Sequence, residues 1–244
     1  MQENKYDNDT FFNQYSQMQR SLKGLDGAGE WHVLEKILPD FKGKKVLDLG
    51  CGFGWHCKYA AEHGAAEVLG IDLSEKMLKR ARVVNTAPNI DYKHTAIEDY
   101  TYPVNTFDVV ISSLAFHYLK SFNEICSKIN QCLVAGGNFI FSVEHPVFTA
   151  CGKQDWYYNE HGEILHWPVD QYFMEGSRKT SFLGEEVTKY HRTIGTYIGD
   201  LLSSGFEITH LAEPQPDQLK LETLAGMKDE LRRPMFLIIS AKKK

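Results

Sequence analysis

A run of apolar residues that ends in an aspartate and three closely spaced glycines constrains this chain more than any other feature. The stretch is KKVLDLGCGFGWHCKYAAEHGAAEVLGIDLS, from Lys44 to Ser74. It predicts a strand ending near Asp48, a glycine-rich turn, a helix ending near Gly64, and a second strand ending at Asp72. Such a turn lets a ligand approach the backbone, and the following helix offers unpaired N–H groups. The ligand is a phosphate, an adenosine cofactor, or none.

The rest of the chain continues this alternation of strands and helices. Five further strands are predicted in IDYKHTA, FDVVISSLA, NFIFSVE, FEITHLAEP and PMFLIISAK. Helices are predicted in EKMLKRARVVNTA, in SFNEICSKINQCL, which closes at Gly136 and Gly137, and in VTKYHRTIGTYIGDLLSSG. The alternation indicates an α/β fold, in which a parallel sheet is covered by helices on both faces. At 244 residues, the chain has the length of one domain with an insertion.

Two segments lie outside the alternating pattern. Residues 1–43 precede the first strand and predict one or two helices that form a lid. Residues 144–188 carry many aromatic side chains among Gly, Pro, His and acidic residues, which is too aromatic for a linker and too irregular for one long helix. We expect this insertion to form a substrate cap over the end of the sheet. The single domain, residues 1–244, would then contain the lid, a core of residues 44–143, the cap and a C-terminal part of residues 189–244.

The glycine spacing separates the possible ligands. A P-loop requires GxxxxGK[ST], and the sequence around Lys58 does not match it. A dinucleotide fingerprint requires GxGxxG, whereas Gly50, Gly52 and Gly54 form GxGxG, and Trp55 occupies the position of the third glycine. An indole there obstructs the close approach of helix and strand that the third glycine permits. An NAD-dependent oxidoreductase is therefore a weaker interpretation.

The pattern DLGCGFG followed by Asp72 resembles the class I S-adenosylmethionine-dependent methyltransferases. The similarity continues through FDVVISSLAFHYL and CLVAGGNFIFSV, so it covers about residues 44–143. The resemblance implies a Rossmann-like seven-stranded sheet of order 3-2-1-4-5-7-6 with the last strand antiparallel. It also implies S-adenosylmethionine as the cofactor and S-adenosylhomocysteine as the product.

The resemblance further assigns residues to the cofactor. Asp48 would face the ammonium group of the cofactor, directly or through water. Asp72 would accept hydrogen bonds from both ribose hydroxyls, a role that suits a carboxylate because it has only acceptor atoms. The other residues implied to border the cofactor are Gly50, Cys51, Gly52, Gly54, Leu73, Met77, Ser113 and Leu114. Without a ligand, Asp48 and Asp72 would be caps of a helix or a loop.

The predicted adenine contact departs from the family pattern. Many relatives carry an Asp after the third strand that binds the adenine amino group. Here HTAIEDY places Ala96 at that position, followed by Ile97. Glu98 or Asp99 is the candidate replacement.

Polar residues near the predicted strand ends are candidates for catalysis and substrate binding. His117 and His145 follow the fourth and fifth strands, and His191 follows the insertion. Each is a candidate general base or a histidine with a structural hydrogen bond. Arg192 would hold an anionic substrate if it faced the cleft, and otherwise lies on a surface helix. The further substrate-binding candidates are Tyr15, Arg20, His56, Tyr118 and Tyr190.

These features together predict a methyltransferase that acts on an O, N or C nucleophile of a small molecule. The aromatic insertion fits a closed, partly apolar pocket. The (D/N)PP(Y/F) sequence of amino-methylating nucleic-acid enzymes is replaced by SSLA, and the formal charge of −5 argues against broad nucleic-acid binding. The alternatives are an RNA-modifying methyltransferase, a protein that binds S-adenosylmethionine without turnover, and the NAD-dependent oxidoreductase.

The composition also bears on the environment of the protein. The sequence has no apolar run of the roughly 20 residues that a membrane helix needs, and its start lacks a secretory signal. The 5 cysteines form no CxxC pair, which favours reduced thiols and no metal site. We expect a cytoplasmic monomer or homodimer without membrane contact.

Overall fold

The computed structural model of the protein describes residues 4–244, so the first three residues of the predicted lid lie outside the described part. The strands are β1 (Lys45–Leu49), β2 (Glu67–Asp72), β3 (Ile90–His94), β4 (Phe107–Ser113), β5 (Leu133–Glu144), β6 (Tyr157–Tyr158), β7 (Ile164–His166), β8 (Gly176–Phe182), β9 (Glu185–His191), β10 (Phe206–Ala212) and β11 (Phe236–Lys243). The α-helices are α1 (Asp9–Ser16), α2 (Gln19–Leu22), α3 (Trp31–Ile37), α4 (Trp55–Glu62), α5 (Glu75–Val84), α6 (Phe122–Cys132), α7 (Pro146–Thr149), α8 (Ile194–Ser203) and α9 (Gln218–Thr223).

Seven strands form one sheet in the order β3-β2-β1-β4-β5-β11-β10. The pairs among β1 to β5 are parallel, and β11 runs antiparallel to both of its neighbours. This arrangement confirms the predicted order, because β10 and β11 are the predicted sixth and seventh strands. The parallel strands place the carboxyl ends of β1, β2, β4 and β5 along the same edge.

Helices cover both faces of the sheet, and each face has its own apolar core. In β5, Phe139 and Phe141 lie in one core, and Ile140 lies in the other. Successive strand residues point to opposite faces, so a strand buried on both faces needs a continuous apolar run. Phe116 packs in the first core, with ring centroids 5.7 Å and 5.4 Å from Phe139 and Phe141. Trp31 of α3 packs in the second core.

The N-terminal segment, residues 4–43, reaches across the carboxyl end of β2. Asn4 Nδ2 donates to the Leu73 carbonyl at 3.2 Å. The Asp7 carboxylate accepts from Ser74 Oγ at 2.6 Å and from the Lys76 backbone N–H at 3.1 Å. Asp7 therefore caps the start of α5, where an acidic side chain interacts favourably with the helix dipole. These contacts hold the N-terminal segment against the end of β2 and the start of α5.

The insertion after β5 contains α7, the hairpin β6–β7 and the hairpin β8–β9. Arg233, which precedes β11, lies over the rings of Phe148, Trp156 and Trp167, at 4.7, 5.2 and 4.2 Å from their centroids. Arginine over aromatic faces is a favourable cation–π arrangement. It connects the aromatic insertion to the main sheet, so the predicted cap is an ordered part of the fold.

The predicted helix that begins at Val187 is wrong in its first part. Residues 185–191 form β9, and the helix α8 begins only at Ile194. Val187, Lys189 and His191 alternate as buried residues along β9, but two of the three are polar, so the two-residue period is hidden in the sequence. The hairpin turns through Leu183 and Gly184, with φ of 51° and 72°. Two positive φ values in a two-residue loop are typical of a type I′ turn.

The predicted helix end at Gly136 and Gly137 is also wrong. Helix α6 ends at Cys132, and both glycines lie within β5. The pairing of β4 with β5 shifts register here, from Phe107 opposite Leu133 to Val109 opposite Asn138. The two glycines thus lie at an irregularity of the strand, a setting that glycine also marks.

Among residues 4–244, we find no helix with the length and apolar character needed to cross a membrane.

Candidate active site

The carboxyl ends of β1, β2, β4 and β5 open into a cavity of about 520 Å³. Its floor consists of the loop after β1, the end of β2, residues 96–98 after β3, and residues 113–120 at the end of β4 and beyond it. The N-terminal segment, the starts of α4 and α5, the end of β5 and the β8–β9 hairpin supply the remaining walls. Open α/β sheets bind ligands at this edge, and the volume lies in the roughly 300–1,000 Å³ range of small-molecule sites.

The loop after β1 exposes its backbone to the cavity. Gly50, Gly52 and Gly54 have φ of 74°, 55° and 78°, a left-handed region that side chains disfavour. A Cβ atom on Gly50 would lie 2.6 Å from the Ala115 Cβ, so this loop and the turn after β4 approach too closely for any side chain. The N–H groups of Gly50 and Cys51 both donate to the Ile71 carbonyl at 2.9 Å, which fixes the loop against β2.

Asp72 connects this loop to the helix that follows β2. One carboxylate oxygen accepts from the Gly52 N–H and the other from the Ser74 N–H, both at 2.8 Å. Each oxygen retains a second lone pair, so the side chain is able to accept further hydrogen bonds from the cavity that it lines. Burial raises the pKa of Asp72, and the two N–H donors partly offset that rise.

Asp48 lies behind the glycine loop and does not line the cavity. The side chain is buried, and its Oδ2 accepts from Cys57 Sγ at 3.2 Å. Its Oδ1 has no hydrogen-bond partner among the described residues. Burial without an opposite charge raises the pKa of Asp48 to about 7. Direct contact with a ligand in the cavity, one of the two predicted modes, does not fit this placement.

Most of the other residues predicted to border a cofactor meet in the cavity. The residues that line it are Gly50, Cys51, Gly52, Asp72, Leu73, Met77, Ala96, Ile97, Glu98, Ser113 and Leu114. Gly54 does not line it and instead precedes the first turn of α4. Leu114 has φ of 54°, which is costly for a leucine, and its N–H donates to the Ser142 carbonyl at 2.9 Å. Such strain is common at ligand-binding edges.

Arg20 reaches the end of β4 from the N-terminal segment. Its Nη2 lies 3.0 Å from Glu30 Oε1, which also accepts from Ser113 Oγ at 3.0 Å. Burial acts to raise the pKa of Glu30, but the charge of Arg20 lowers it below its ordinary value. Glu30 was not among the predicted residues. The sequence around Glu30, GAGEW, has no motif that marks a functional residue. Its partners Arg20 and Ser113 lie 10 and 83 residues away in the chain, so only the folded structure shows the contacts.

His117 and Tyr118 line the cavity beyond the glycine loop, together with Tyr15 and Tyr6. His117 Nδ1 accepts from the Glu144 backbone N–H at 3.4 Å, which assigns the proton of the neutral ring to Nε2. Burial lowers the pKa of His117 to about 4, so the imidazole is neutral at physiological pH. The Tyr6 and Tyr118 hydroxyls are 3.4 Å apart.

His56 of α4 and Tyr190 of β9 also line the cavity. Burial lowers the pKa of His56 to about 4, and its ring packs edge-on against Trp31. The structure therefore brings five of the six predicted substrate-binding residues to the same cavity.

The remaining predicted histidines lie elsewhere. His145 caps α7, with Nδ1 accepting from the Val147 N–H at 3.0 Å and Nε2 lying 2.8 Å from Glu213 Oε1. His191 is buried, with Nδ1 2.8 Å from Thr149 Oγ1. Strand residues alternate in direction, so Tyr190 faces the cavity and His191 does not. Neither histidine lines the cavity, and we assign them no catalytic role.

Arg192 is the sixth predicted substrate-binding residue, and it does not reach the cavity either. Its guanidinium is buried and donates to the carbonyls of Phe116, Leu119 and Lys120. A guanidinium has five N–H donors, which suits three carbonyls in one turn. Arg192 thus fixes the turn that carries His117 and does not hold an anionic substrate.

The methyltransferase domain family matches residues 47–141. A crystal structure from Listeria monocytogenes, of a protein assigned to the S-adenosylmethionine-dependent methyltransferases, is 58% identical and has a TM-score of 0.83. It covers 88% of this chain, which covers 98% of it. The chain belongs to the class I S-adenosylmethionine-dependent methyltransferases.

Two further relatives match nearly the whole chain, and the first of them supports the same family. An S-adenosylmethionine-dependent methyltransferase from Mesorhizobium loti is 44% identical with a TM-score of 0.83, over 90% of this chain and 100% of that structure. A protein of Haemophilus influenzae is 36% identical over 247 residues, which are 98% of this chain and 96% of the relative. The assignment confirms the predicted family and cofactor.

The cofactor of the methyltransferase is S-adenosylmethionine, and the cavity has the chemical groups that fit it. Asp72 offers unused carboxylate lone pairs, which match a ribose diol. At Gly52 the backbone of the glycine loop borders open space, because a Cβ atom added there would have no other atom within 4 Å. A ligand is therefore able to approach the backbone at this point. Arg20 provides a cation, which matches a carboxylate. These groups line the same cavity as the apolar side chains of Met77 and Ile97.

The raised pKa of Asp48 makes the stability of the protein depend on pH. The ordinary pKa of an aspartate is about 3.9, so between that pH and about 7 the folded protein holds a proton that the unfolded chain has released. This residue therefore lowers the free energy of unfolding as the pH rises. Asp48→Asn removes the effect and keeps an oxygen for Cys57.

We expect Asp48→Asn to gain roughly 1–3 kcal/mol in the free energy of unfolding, relative to wild type, when the pH rises from about 5 to about 8. Urea unfolding of both proteins at both pH values measures the difference. Any constant cost of the buried amide cancels in this comparison. The exposed Asp91→Asn on β3 is the matched control and should show no such change. A pH-independent difference for Asp48→Asn would contradict the assignment.

Proposed function

We propose that the protein transfers the methyl group of S-adenosylmethionine to an O, N or C nucleophile of a small molecule. The observation that carries this proposal is the continuity of the cavity. The same space that is bordered by the glycine loop and Asp72 extends to tyrosines of the N-terminal segment, the turn after β4 and the β8–β9 hairpin. In this proposal, the lid and the insertion belong to one domain and close the cavity over a small acceptor.

We assign the adenosine part of the cofactor to the ends of β2 and β3. Asp72 accepts from the ribose hydroxyls, and the backbone from Gly50 to Gly52 borders the ligand. The buried Ala96 and Ile97 and the side chains of Leu73 and Met77 would contact the adenine. Glu98 lines this end as well and is the candidate acceptor for the adenine amino group.

Arg20 is assigned to the amino-acid part of the cofactor rather than to the substrate. Arg20 contacts Ser113 at the end of β4, on the side of the glycine loop away from the end of β3. The ion pair with Glu30 uses Nη2, so the other guanidinium N–H groups are available to a carboxylate. Asp48, behind the loop, would act on the ammonium group through water.

The sulfonium of the cofactor supplies an electrophilic methyl group, so the protein has mainly to align the acceptor and exclude water. His117 carries its proton on Nε2 and is neutral, so it serves as a hydrogen-bond donor to the acceptor molecule rather than as a general base. The rings of Tyr6, Tyr15 and Tyr118 enclose the same part of the cavity. Positioning alone is worth on the order of 7–11 kcal/mol in favourable intramolecular cases.

Asp72→Ala should weaken the binding of S-adenosylhomocysteine by roughly 1.5–3 kcal/mol, because charge-assisted hydrogen bonds to the ribose are lost. Isothermal titration calorimetry measures the affinity. Asp91→Ala, an exposed aspartate on the neighbouring strand, is the matched control and should bind normally. Unchanged affinity in a folded Asp72→Ala protein would rule out the ribose contact.

Arg20→Met should reduce the affinity for S-adenosylhomocysteine by roughly tenfold or more, because a carboxylate contact is lost. The affinity for methylthioadenosine, which lacks the amino-acid part, should stay nearly unchanged. Asp72→Ala, in contrast, should weaken both ligands, since both contain the ribose. Equal losses for the two ligands in Arg20→Met would show that Arg20 does not bind the amino-acid part. The single variant leaves the buried Glu30 carboxylate without its cation. The double variant Arg20→Met/Glu30→Gln removes both charges and repeats the test without that unpaired carboxylate.

The overall activity is tested by incubating the protein with S-adenosylmethionine that carries a radiolabelled methyl group. The acceptors are a panel of small metabolites and bulk RNA, and Asp72→Ala is the control for cofactor-dependent transfer. Label in a small molecule is the expected result. Label in RNA alone would favour the RNA-modifying alternative. Tight cofactor binding with no transfer to any acceptor would favour a binding protein.

A further inference from the structure

Glu144 places a carboxylate in the cavity at the end of β5. Oε1 lies 2.6 Å from the ammonium of Lys189, and Oε2 accepts from Gln154 Nε2 at 2.7 Å. Lys189 is only 2% exposed, and its ammonium also donates to Gln154 Oε1 at 2.9 Å. Burial acts to raise the pKa of Glu144, but the charge of Lys189 and the hydrogen bonds from Lys189 and Gln154 lower it below its ordinary value. The side chain is therefore an ionised acceptor.

The contacts from Lys189 and Gln154 use one lone pair on each oxygen of Glu144. A carboxylate has about four such sites, so acceptor capacity remains on Glu144. Lys189 and Gln154 both belong to the segment after β5, and neither lines the cavity, whereas Glu144 does. The insertion therefore holds the carboxylate from outside the cavity, and its remaining capacity is available to a ligand within.

Aromatic side chains line the same cavity. Tyr6, Tyr118, Phe182 and Tyr190 all line it. Burial raises the pKa of Tyr118, and the charge of Glu144 raises it further, which places the phenol within the field of the carboxylate. A carboxylate among aromatic faces is a setting that favours organic cations, because both the charge and the ring faces attract them.

The chain itself supplies an example of such a cation. The Lys189 ammonium lies 5.3 Å from the centroid of the Phe182 ring and is bonded to Glu144 at the same time. An alkylammonium is thus already held between this carboxylate and one of the cavity's aromatic rings. The neighbouring His117 is neutral and does not add a competing positive charge.

We propose that Glu144 is a substrate-binding residue that selects methyl acceptors carrying an alkylammonium group. This inference rests on the proposed function and concerns how the acceptor is recognised. The ammonium group would occupy the remaining acceptor sites of Glu144 and lie against the tyrosine rings. Glu144 sets specificity through direct contact, and Lys189 and Gln154 are positioning residues that fix the orientation of the carboxylate.

The test uses three probes that share a phenylethyl group and differ in charge: phenethylamine, phenethyl alcohol and hydrocinnamate. Their binding to the full-length protein saturated with S-adenosylhomocysteine is measured by isothermal titration calorimetry. We expect the amine to bind roughly tenfold more tightly than the alcohol, and the carboxylate to bind most weakly. Absent binding of the amine, or equal binding of the amine and the alcohol, would overturn the proposal.

Glu144→Gln should remove the preference for the amine and leave the affinity for the alcohol nearly unchanged. Glu186→Gln makes the same charge change at an exposed position of the β8–β9 hairpin and should retain the preference. Glu144→Gln leaves the Lys189 ammonium buried without its carboxylate, which destabilises the fold. Glu144→Gln/Lys189→Met removes both charges and is the variant to use if the single one does not fold.

A preference for the amine that persists in folded Glu144→Gln or in the double variant would overturn the role of Glu144. Failure of S-adenosylhomocysteine to bind wild type would instead refute the proposed function. The two failures are distinguishable because cofactor binding is measured before any probe is added.

Discussion

The hydrogen bond from the Gly52 N–H to Asp72 is the contact on which the geometry of this site depends. It joins the loop after β1 to the end of β2, and the other oxygen of the same carboxylate bonds to the Ser74 N–H at the start of α5. Gly50, Gly52 and Gly54 adopt left-handed backbone conformations, which glycine reaches without the steric cost that other residues meet. One side chain thus fixes the loop and orients a helix while it lines the ligand cavity. Because these roles share one carboxylate, the site and the fold are coupled at this point.

The buried charges around the cavity occur mostly in pairs that bring distant segments together. Arg20 and Glu30 join two parts of the N-terminal segment and connect them with β4 through Ser113. Glu144 and Lys189 connect β5 with the inserted hairpin. A buried charge without a partner is costly, so each pair favours the closed arrangement of lid, core and insertion. Asp48 has no cationic partner, and its high pKa is the consequence of that isolation.

The residues of the site that lie close together in the sequence were predictable. The residues that several distant segments bring to the cavity were predicted only in part. The glycine loop and Asp72 were identified because strand, turn and helix are local, and their spacing distinguishes ligand classes. Glu144 carries the same signal, a carboxylate at the end of an apolar strand, and that signal could have identified it. His191 and Arg192 were placed in a helix because the alternation of β9 is carried by Lys and His at buried positions, where a sequence pattern expects apolar residues. His145 lies next to Glu144 in sequence, but its side chain turns to cap α7.

The sequence by itself determined the alternation of strands and helices and the glycine-rich turn, and its resemblance to the class I methyltransferases implied the strand order, the family and the cofactor. Apolar periodicity and glycine spacing are local properties of the chain, and parallel units follow strict rules of connection. Only the tertiary structure decided which polar residues meet in the cavity, since ion pairs such as Arg20–Glu30 and Glu144–Lys189 form after their elements have packed. It also decided the protonation of Asp48 and His117, because burial sets the pKa of each group and burial is a property of the folded chain.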